Sequence, residues 1–146
     1  MTQAPPNPSL VDDQGRIHTG LFEDTVATIN GRDYDYRTPL GKPASRRARH
    51  FHYKQFQYFG VVSDELLIGC AFADTAYLGM AFFYVFDTRT GALREHTWRS
   101  PLGRALTLSD SPVGGESRFR QGKVDIAMGY RQAPDGTRRK SLTVAM

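Results

Sequence analysis

Cysteine is nearly absent from this sequence: Cys70 is the only one among 146 residues. A single cysteine excludes an intramolecular disulfide, and it also excludes a metal cluster held by several thiolates of one chain. Cys70 stands in an apolar run, residues 68–72, where a cysteine usually packs as a small hydrophobic side chain. We therefore expect Cys70 to be buried rather than to act as a catalytic thiol.

Long apolar runs are also missing. The longest ones, such as residues 77–86, are far shorter than the ~20 residues that a membrane-spanning helix needs. The first residues are rich in proline and lack the apolar core of a secretory signal. We therefore expect a cytoplasmic protein without a membrane span.

Motifs that mark several enzyme mechanisms do not occur in the sequence. There is no Gly-x-Ser-x-Gly elbow for a nucleophilic serine. No glycine-rich turn opens a helix with a lysine in the manner of a phosphate-binding loop. These absences exclude only those mechanisms, and they leave enzymatic activity open.

An excess of acidic residues is absent as well, and the net charge is +4. Most of the positive excess lies in two clusters, residues 46–49 and 138–140. Tyr53 and Phe56 follow the first cluster and are of the type that stacks on bases. No ribonucleoprotein-type motif, helix-turn-helix or zinc module accompanies them. We interpret the clusters as solvated strand ends, with no specific nucleic-acid partner and only a weak attraction to anionic surfaces.

Apolar and aromatic residues are densest in residues 49–81. In residues 51–62, apolar and aromatic residues occur at both odd and even positions. They do not recur every three and four residues, as they would on one face of a helix. A polar turn at residues 63–65 then separates this strand from an apolar return strand, residues 66–73. We predict an antiparallel hairpin, in whose second strand Gly69 marks a bulge, a bend or a close approach.

Further alternating segments predict the rest of the sheet. They are residues 79–86, 92–99, 106–108, 116–120, 123–131 and 137–144, and turn signals separate them. About eight strands follow, the number that closes a small barrel with room for side chains or one small ligand. We therefore predict an all-β fold, either an antiparallel β-barrel or a curved sandwich.

The chain has the length of one domain. Its proline-rich start predicts a loose leader over residues 1–14, followed by a single all-β domain over residues 15–146. Residues 20–29 fit both a helical face and a strand, and we prefer the extended conformation. Residues 30–48 predict a long irregular connection that covers an opening of the barrel. The last residues, 140–146, still alternate, which indicates a domain truncated at its C-terminus, with exposed edge strands that favour self-association.

Lys54 and Asp74 interrupt the apolar pattern where a half-buried strand usually carries an apolar side chain. A buried charge costs several kcal/mol unless it is paired. In one interpretation the two residues pair with each other. In the other, Lys54 extends its ammonium group to the rim of the sheet, and Asp74 caps the turn before Ala76 and Tyr77.

The order of these residues is similar to that of a known family. A lysine followed by aromatics in residues 54–58, a hairpin, and the segment Asp-Thr-Ala-Tyr-Leu-Gly of residues 74–79 resemble the bacterial family described as domain of unknown function 2804 (DUF2804). Residues 12–17 and 30–32 are also similar to it, and the resemblance spans most of residues 9–130. It implies a lipocalin-like barrel or sandwich. Because members are generally longer, it also implies that the chain corresponds either to the amino-terminal half of a larger two-barrel protein or to a short relative.

The candidate ligand-binding residues are Lys54, Tyr58, Asp74 and Tyr77. A few convergent polar groups among Phe, Tyr and Met side chains are typical of a pocket for an amphipathic small molecule. The first hypothesis is therefore a lipocalin-like module that binds a hydrophobic or amphipathic ligand and needs no cofactor.

Two other classes of function stay open. Distant barrel relatives of the resembled family are similar to carotenoid hydratases and tocopherol cyclases, which implies an enzyme in which a buried Asp74 protonates the alkene of a terpenoid-like substrate. A structural or association domain without a ligand is the third hypothesis. His50 and His52 share one face of the predicted strand and would bind a metal if His96 or Asp74 completed the site. Because arginines surround them, we predict no metal.

Overall fold

The computed structural model of the chain describes residues 9–21 and 25–146. Its regular structure is mostly β, in two four-stranded antiparallel sheets. The first sheet consists of β1 (Gln55–Val62), β2 (Leu66–Asp74), β3 (Leu78–Asp87) and β4 (Leu93–Pro101). The second consists of β5 (Leu106–Thr107), β6 (Gly115–Gln121), β7 (Val124–Gln132) and β8 (Arg138–Ala145). In both sheets each strand pairs with the next one along the chain.

The two sheets bury one shared core between their facing sides. Its most deeply buried members, at most 1% exposed, are Cys70, Phe72 and Ala81 from the first sheet and Phe119, Ile126 and Met128 from the second. Along β7 these residues alternate with less buried ones, as the two-residue period of a strand requires when one face packs on a core. Burial of each large apolar side chain contributes about 1.5–3 kcal/mol.

The predicted all-β fold of about eight strands is confirmed, in the form of a curved sandwich. The described strands do not close into a barrel, because β1 and β4 remain the edges of the first sheet and β5 and β8 the edges of the second. The predicted hairpin is present, and its register places Gln55 opposite Asp74 and Val62 opposite Leu67.

A 3-10 turn (Gly31–Asp33) and a short α-helix precede the first sheet. α1 (Arg46–His52) follows Ser45, whose hydroxyl accepts the backbone N–H of Ala48 at 3.2 Å. The cap and the helix-forming arginines outweigh the alternation of the residues after them. The prediction that residues 50–53 belong to the first strand is therefore wrong, since β1 begins at Gln55. Within the described part of the chain, no helix is both long and apolar enough to cross a membrane.

Hydrogen bonds between Val11 and Asn30 connect two parts of the segment before the first sheet. Val11 is only 2% exposed. The Asn30 side chain accepts the N–H of Val11 at 2.9 Å and donates to its carbonyl at 3.0 Å. Residues 1–8 of the predicted leader, and residues 22–24 of the segment predicted as extended, lie outside the described residues. The division into a leader and one domain stays a prediction.

Candidate functional site

A cavity of about 580 Å³ lies between residues 31–36 and α1. Its charged and aromatic lining consists of Arg32, Arg46, Arg49 and Lys54, of His50 and His52, and of Tyr34, Tyr36 and Tyr53. No carboxylate belongs to this lining, whose residues are all among those described. The cavity therefore has a strongly basic wall interrupted by aromatic surfaces.

Asp35 holds the two sides of this cavity together. Its carboxylate accepts Arg37 Nε at 2.7 Å and Arg49 Nη2 at 3.2 Å, so that α1 is fixed to the preceding segment. Its backbone N–H donates to the carbonyl of Gly15 at 2.8 Å. Gly15 suits this contact because it has a φ of +75° and a Cβ there would lie 2.8 Å from the Cβ of Asp35. The predicted covering loop thus forms one wall of a cavity.

Arg49 has an unused donor in this wall. Its Nη2 pairs with Asp35, whereas its Nε is buried and has no hydrogen-bond acceptor among the described residues. An unpaired buried donor costs about 1–3 kcal/mol.

Arg32 connects the cavity with the end of the first sheet. Its Cζ lies 4.8 Å from the ring centroid of Tyr53, and its Nη2 lies 3.8 Å from Asp74 Oδ2. The Tyr53 ring passes so close to Gly31 that a Cβ there would be 2.7 Å from its Cε2. Burial raises the pKa of Tyr53, and the Asp110 carboxylate raises it further. Tyr53 is therefore a neutral, firmly placed aromatic wall.

Lys54 is fixed between α1 and the turn after β2. Its Nζ donates to the carbonyl of Phe51 at 2.7 Å and to the carbonyl of Thr75. The same Nζ lies 4.1 Å from the ring centroid of Tyr77, and the rings of Phe51 and Tyr77 stack with centroids 6.5 Å apart. The interpretation that Lys54 extends its ammonium group to the rim of the sheet is therefore confirmed.

Asp74 caps the turn between β2 and β3. Its Oδ1 accepts the N–H of Ala76 at 2.7 Å, which stabilises Ala76 in the left-handed region at φ 72°. Its other oxygen faces Arg32. The interpretation of Asp74 as a turn cap is confirmed. The pairing of Lys54 with Asp74 is wrong, because each residue has other partners.

Tyr58 lies apart from this cluster, on the side of the first sheet that faces away from the core. It is 51% exposed, and its hydroxyl lies 2.9 Å from that of Tyr84. Tyr77 is 57% exposed. The structure thus brings Lys54, Asp74 and Tyr77 together at one end of the sheet but not inside a closed cavity. The role of these four residues in ligand binding stays a prediction.

The histidines do not share the face that the sequence predicted. His50 and His52 lie in α1, where residues two apart point about 200° from each other. His52 stacks on Tyr36 at 5.4 Å, and His96 stacks on Trp98 at 5.5 Å. The described residues contain no group of three or more His, Cys, Asp or Glu side chains placed to hold a metal ion.

A second cavity, of about 390 Å³, shares Tyr53 and Lys54 with the first. It lies along the edge strand β1 and is also lined by Leu108, Pro112 and Tyr130 from the second sheet and its loops. Tyr53 and Lys54 therefore line both cavities, the basic one beside α1 and the more apolar one along β1.

The sequence reasoning missed most of the first cavity. Its arginines belong to the basic cluster that we interpreted as solvated strand ends, and its tyrosines belong to the long connection before that cluster. The available signal was the combination of the two: an irregular segment with Tyr34 and Tyr36 directly before a capped, arginine-rich helix.

Comparison with known proteins gives one result for this fold and site. The family model of a domain of unknown function, DUF2804, matches residues 2–146. The chain belongs to this family. No curated protein and no solved structure matches it. The resemblance to DUF2804 is therefore confirmed, the lipocalin-like relation that it implied stays a prediction, and the function of this DUF2804 chain must be argued from the cavity.

Proposed function

We propose that this DUF2804 protein binds an amphipathic small molecule with an acidic group. The observation that carries the proposal is the lining of the first cavity, with four cationic side chains, three tyrosines and no carboxylate. The volume of about 580 Å³ lies within the ~300–1,000 Å³ typical of small-molecule sites.

The charges of the lining favour an acidic group on the ligand. Charge-assisted hydrogen bonds from guanidinium groups to carboxylate or phosphate oxygens are among the strongest that proteins make. Arg49 lines the cavity, and its pairing with Asp35 fixes the guanidinium group there. The tyrosines and the adjoining cavity along β1 then take the apolar part of the ligand. This refines the hypothesis of an amphipathic ligand, with Lys54 at the junction of the two cavities.

Calorimetric titration with four molecules of equal chain length tests the proposal. We expect dodecanoate and dodecyl phosphate to bind and dodecanol and dodecylamine to bind much more weakly. Arg46→Gln should weaken binding of the acids roughly tenfold, since a lost hydrogen bond to a charged group costs about 1.5–3 kcal/mol. Arg47→Gln is the matched control, because Arg47 neighbours Arg46 in α1 but does not line the cavity. Equal effects of both variants, or tighter binding of dodecylamine, would contradict the proposal.

The hydratase or cyclase hypothesis requires a separate experiment. It needs the Asp74 carboxyl group to reach an alkene, whereas the carboxylate oxygens of Asp74 face the Ala76 N–H and the Arg32 guanidinium. Turnover of a terpenoid by the native protein that is lost in Asp74→Asn with retained fold would support the enzyme.

A further inference from the structure

The two sides of the first sheet are both apolar, although only one of them packs on the core. The register places four rows of side chains on the side that faces away from the core. We call this side the outer face. Its large apolar and aromatic members are Phe56, Tyr58 and Val62 on β1, Leu67 on β2, Met80, Phe82, Tyr84 and Phe86 on β3, and Leu93 on β4.

Exposure on this outer face is highest along β1, and the large side chains of β3 on it are half-buried. Phe56 is 69% exposed, Tyr58 51% and Val62 78%, whereas Phe72 on the other side is fully buried. Surface strands normally alternate apolar and polar residues. Contiguous apolar patches of this kind on a soluble protein mark interaction sites.

The second sheet shows what a solvated face looks like in the same molecule. The side of β6 and β7 that faces away from the core carries Glu116, Arg118, Arg120 and Asp125, and Arg118 pairs with Asp125 at 2.6 Å. The composition of the first sheet's outer face is therefore specific to that sheet, and it is not a general property of this fold.

The charges on the outer face identify the partner. Among its residues on β4, Glu95 and Arg99 lie two positions on either side of Thr97. The rows that cross β1 to β4 there contain no other charged residue, so the face is neutral overall. A twofold axis in the plane of the face, perpendicular to the strands and passing through the row of Thr97, places Arg99 of one copy against Glu95 of the other. The face is thus complementary to itself, whereas a strongly charged partner would find no matching charge.

The size of the face agrees with a partner of the same shape. Four strands about 4.8 Å apart and about eight residues long, at ~3.4 Å per residue, cover roughly 500 Å². Two such faces bury about 1,000 Å² together, which is near the lower limit of specific interfaces. We propose that two copies of this chain pack face to face through the outer faces of their first sheets, with Arg99 of each copy opposite Glu95 of the other.

Charge reversal on the full chain tests this arrangement by sedimentation equilibrium. We expect the native chain to form dimers at micromolar concentrations. Glu95→Arg and Arg99→Glu should each raise the dimer dissociation constant about tenfold or more, because each places two like charges opposite each other at both symmetry-related contacts of the dimer. The double variant should return it to the native value, since both pairs form again in the reverse sense. Arg94→Glu, on the same strand but on the core side, should have no such effect. A monomer at all concentrations, or a double variant no tighter than the single ones, would overturn the proposal.

A cross-link provides a second, independent measurement. Thr97 lies on the proposed axis, but sheets packed face to face are about 10 Å apart, which is too far for a direct disulfide. A short bismaleimide should therefore cross-link Thr97→Cys into a covalent dimer. Cys70 is buried and should not be cross-linked. The native chain, treated in the same way, is the control for this. His96→Cys, on the opposite face, should remain monomeric on denaturing gels. Equal cross-linking at both positions, or at neither, would contradict face-to-face packing.

Discussion

The hydroxyl groups of Tyr58 and Tyr84 lie 2.9 Å apart and join β1 to β3 across the intervening strand β2. Beneath them lies Gly69, which pairs directly with Tyr84. A Cβ at Gly69 would be 2.2 Å from Cε1 of the Tyr84 ring. The absent side chain of Gly69 is what allows the two tyrosines to meet.

We predict that Gly69→Ala destabilises the protein by about 1–3 kcal/mol, the usual cost of overpacking, because the ring of Tyr84 must move from β2. Urea unfolding measures the change in the free energy of unfolding. Gly114→Ala is the control, since its Cβ would meet only Ser111 Oγ, at 3.9 Å. In a Tyr84→Ala background the Gly69→Ala substitution should cost much less. An unchanged cost in that background would contradict the close contact.

The hydrogen bond between the tyrosines leads to a prediction on ionisation. The hydrogen bond with Tyr84 raises the pKa of Tyr58. A pKa that is raised on folding contributes stability below the unfolded value, and this contribution is lost as the pH rises through the folded value. We expect Tyr84→Phe to lower the pKa of Tyr58, as followed by NMR of isotope-labelled tyrosine rings. Tyr34→Phe, in the cavity, should leave the Tyr58 titration unchanged.

The sheets could be predicted from the sequence because their signal is local. Alternation and turn residues define strands over a few residues. Gly91, with a φ of +71°, is such a turn residue between β3 and β4. Alternation also continues into α1, where it misled the prediction. In this segment the N-cap residue Ser45 indicates the helix better than the alternation does. Its signal is a single side-chain hydroxyl, which accepts the N–H of Ala48.

The candidate site could be predicted only in part, since it depends on contacts between distant residues. The sequence alone showed that Lys54 and Asp74 are unusual, because each is a charged residue in an apolar pattern. It did not show their partners, because the Thr75 carbonyl and the Arg32 guanidinium belong to turns whose relative positions no spacing fixes. The arginines of α1 became a cavity wall only through Asp35, fourteen residues before Arg49.

The reactivity of the Cys70 thiol tests whether the core is packed as described, because Cys70 is buried in it. Removal from water raises the pKa of its thiol to about 12, so the reactive thiolate is scarce at neutral pH. We predict that native protein resists alkylation by iodoacetamide at mildly alkaline pH and that unfolded protein reacts promptly. Because the pKa is raised on folding, the associated stability is present below the unfolded value of about 9 and is lost as the pH rises towards 12. Fast alkylation of the folded state would contradict the described core.

Lys54 should contribute to stability as well as to the junction of the two cavities. Lys54→Met keeps the apolar stem and removes the ammonium group, so two carbonyl groups lose their donor and Tyr77 its cation. We expect a loss of about 1 kcal/mol in urea unfolding, the typical contribution of one such hydrogen bond at a partly exposed site. Lys123→Met, at an exposed position in the turn between β6 and β7, should change stability little. Equal effects of the two substitutions would show that the contacts of Lys54 carry no net stabilisation.

Leu102 adopts a backbone conformation that its side chain disfavours. Its φ is +56°, and its N–H donates to the carbonyl of Tyr77 at 2.9 Å, which connects the turn after β4 with the turn between β2 and β3. A residue with a Cβ loses roughly 1–2 kcal/mol in this region, whereas glycine adopts it without strain. We therefore predict that Leu102→Gly is more stable by about 1 kcal/mol than Leu40→Gly, a substitution of another exposed loop leucine whose φ is not positive. Thermal unfolding of both variants and the native chain measures the difference. If Leu102→Gly loses as much stability as Leu40→Gly, the strained turn does not exist in solution. The hydrogen bond from Leu102 to Tyr77, which connects the two turns beside Lys54 and Asp74, would then be contradicted as well.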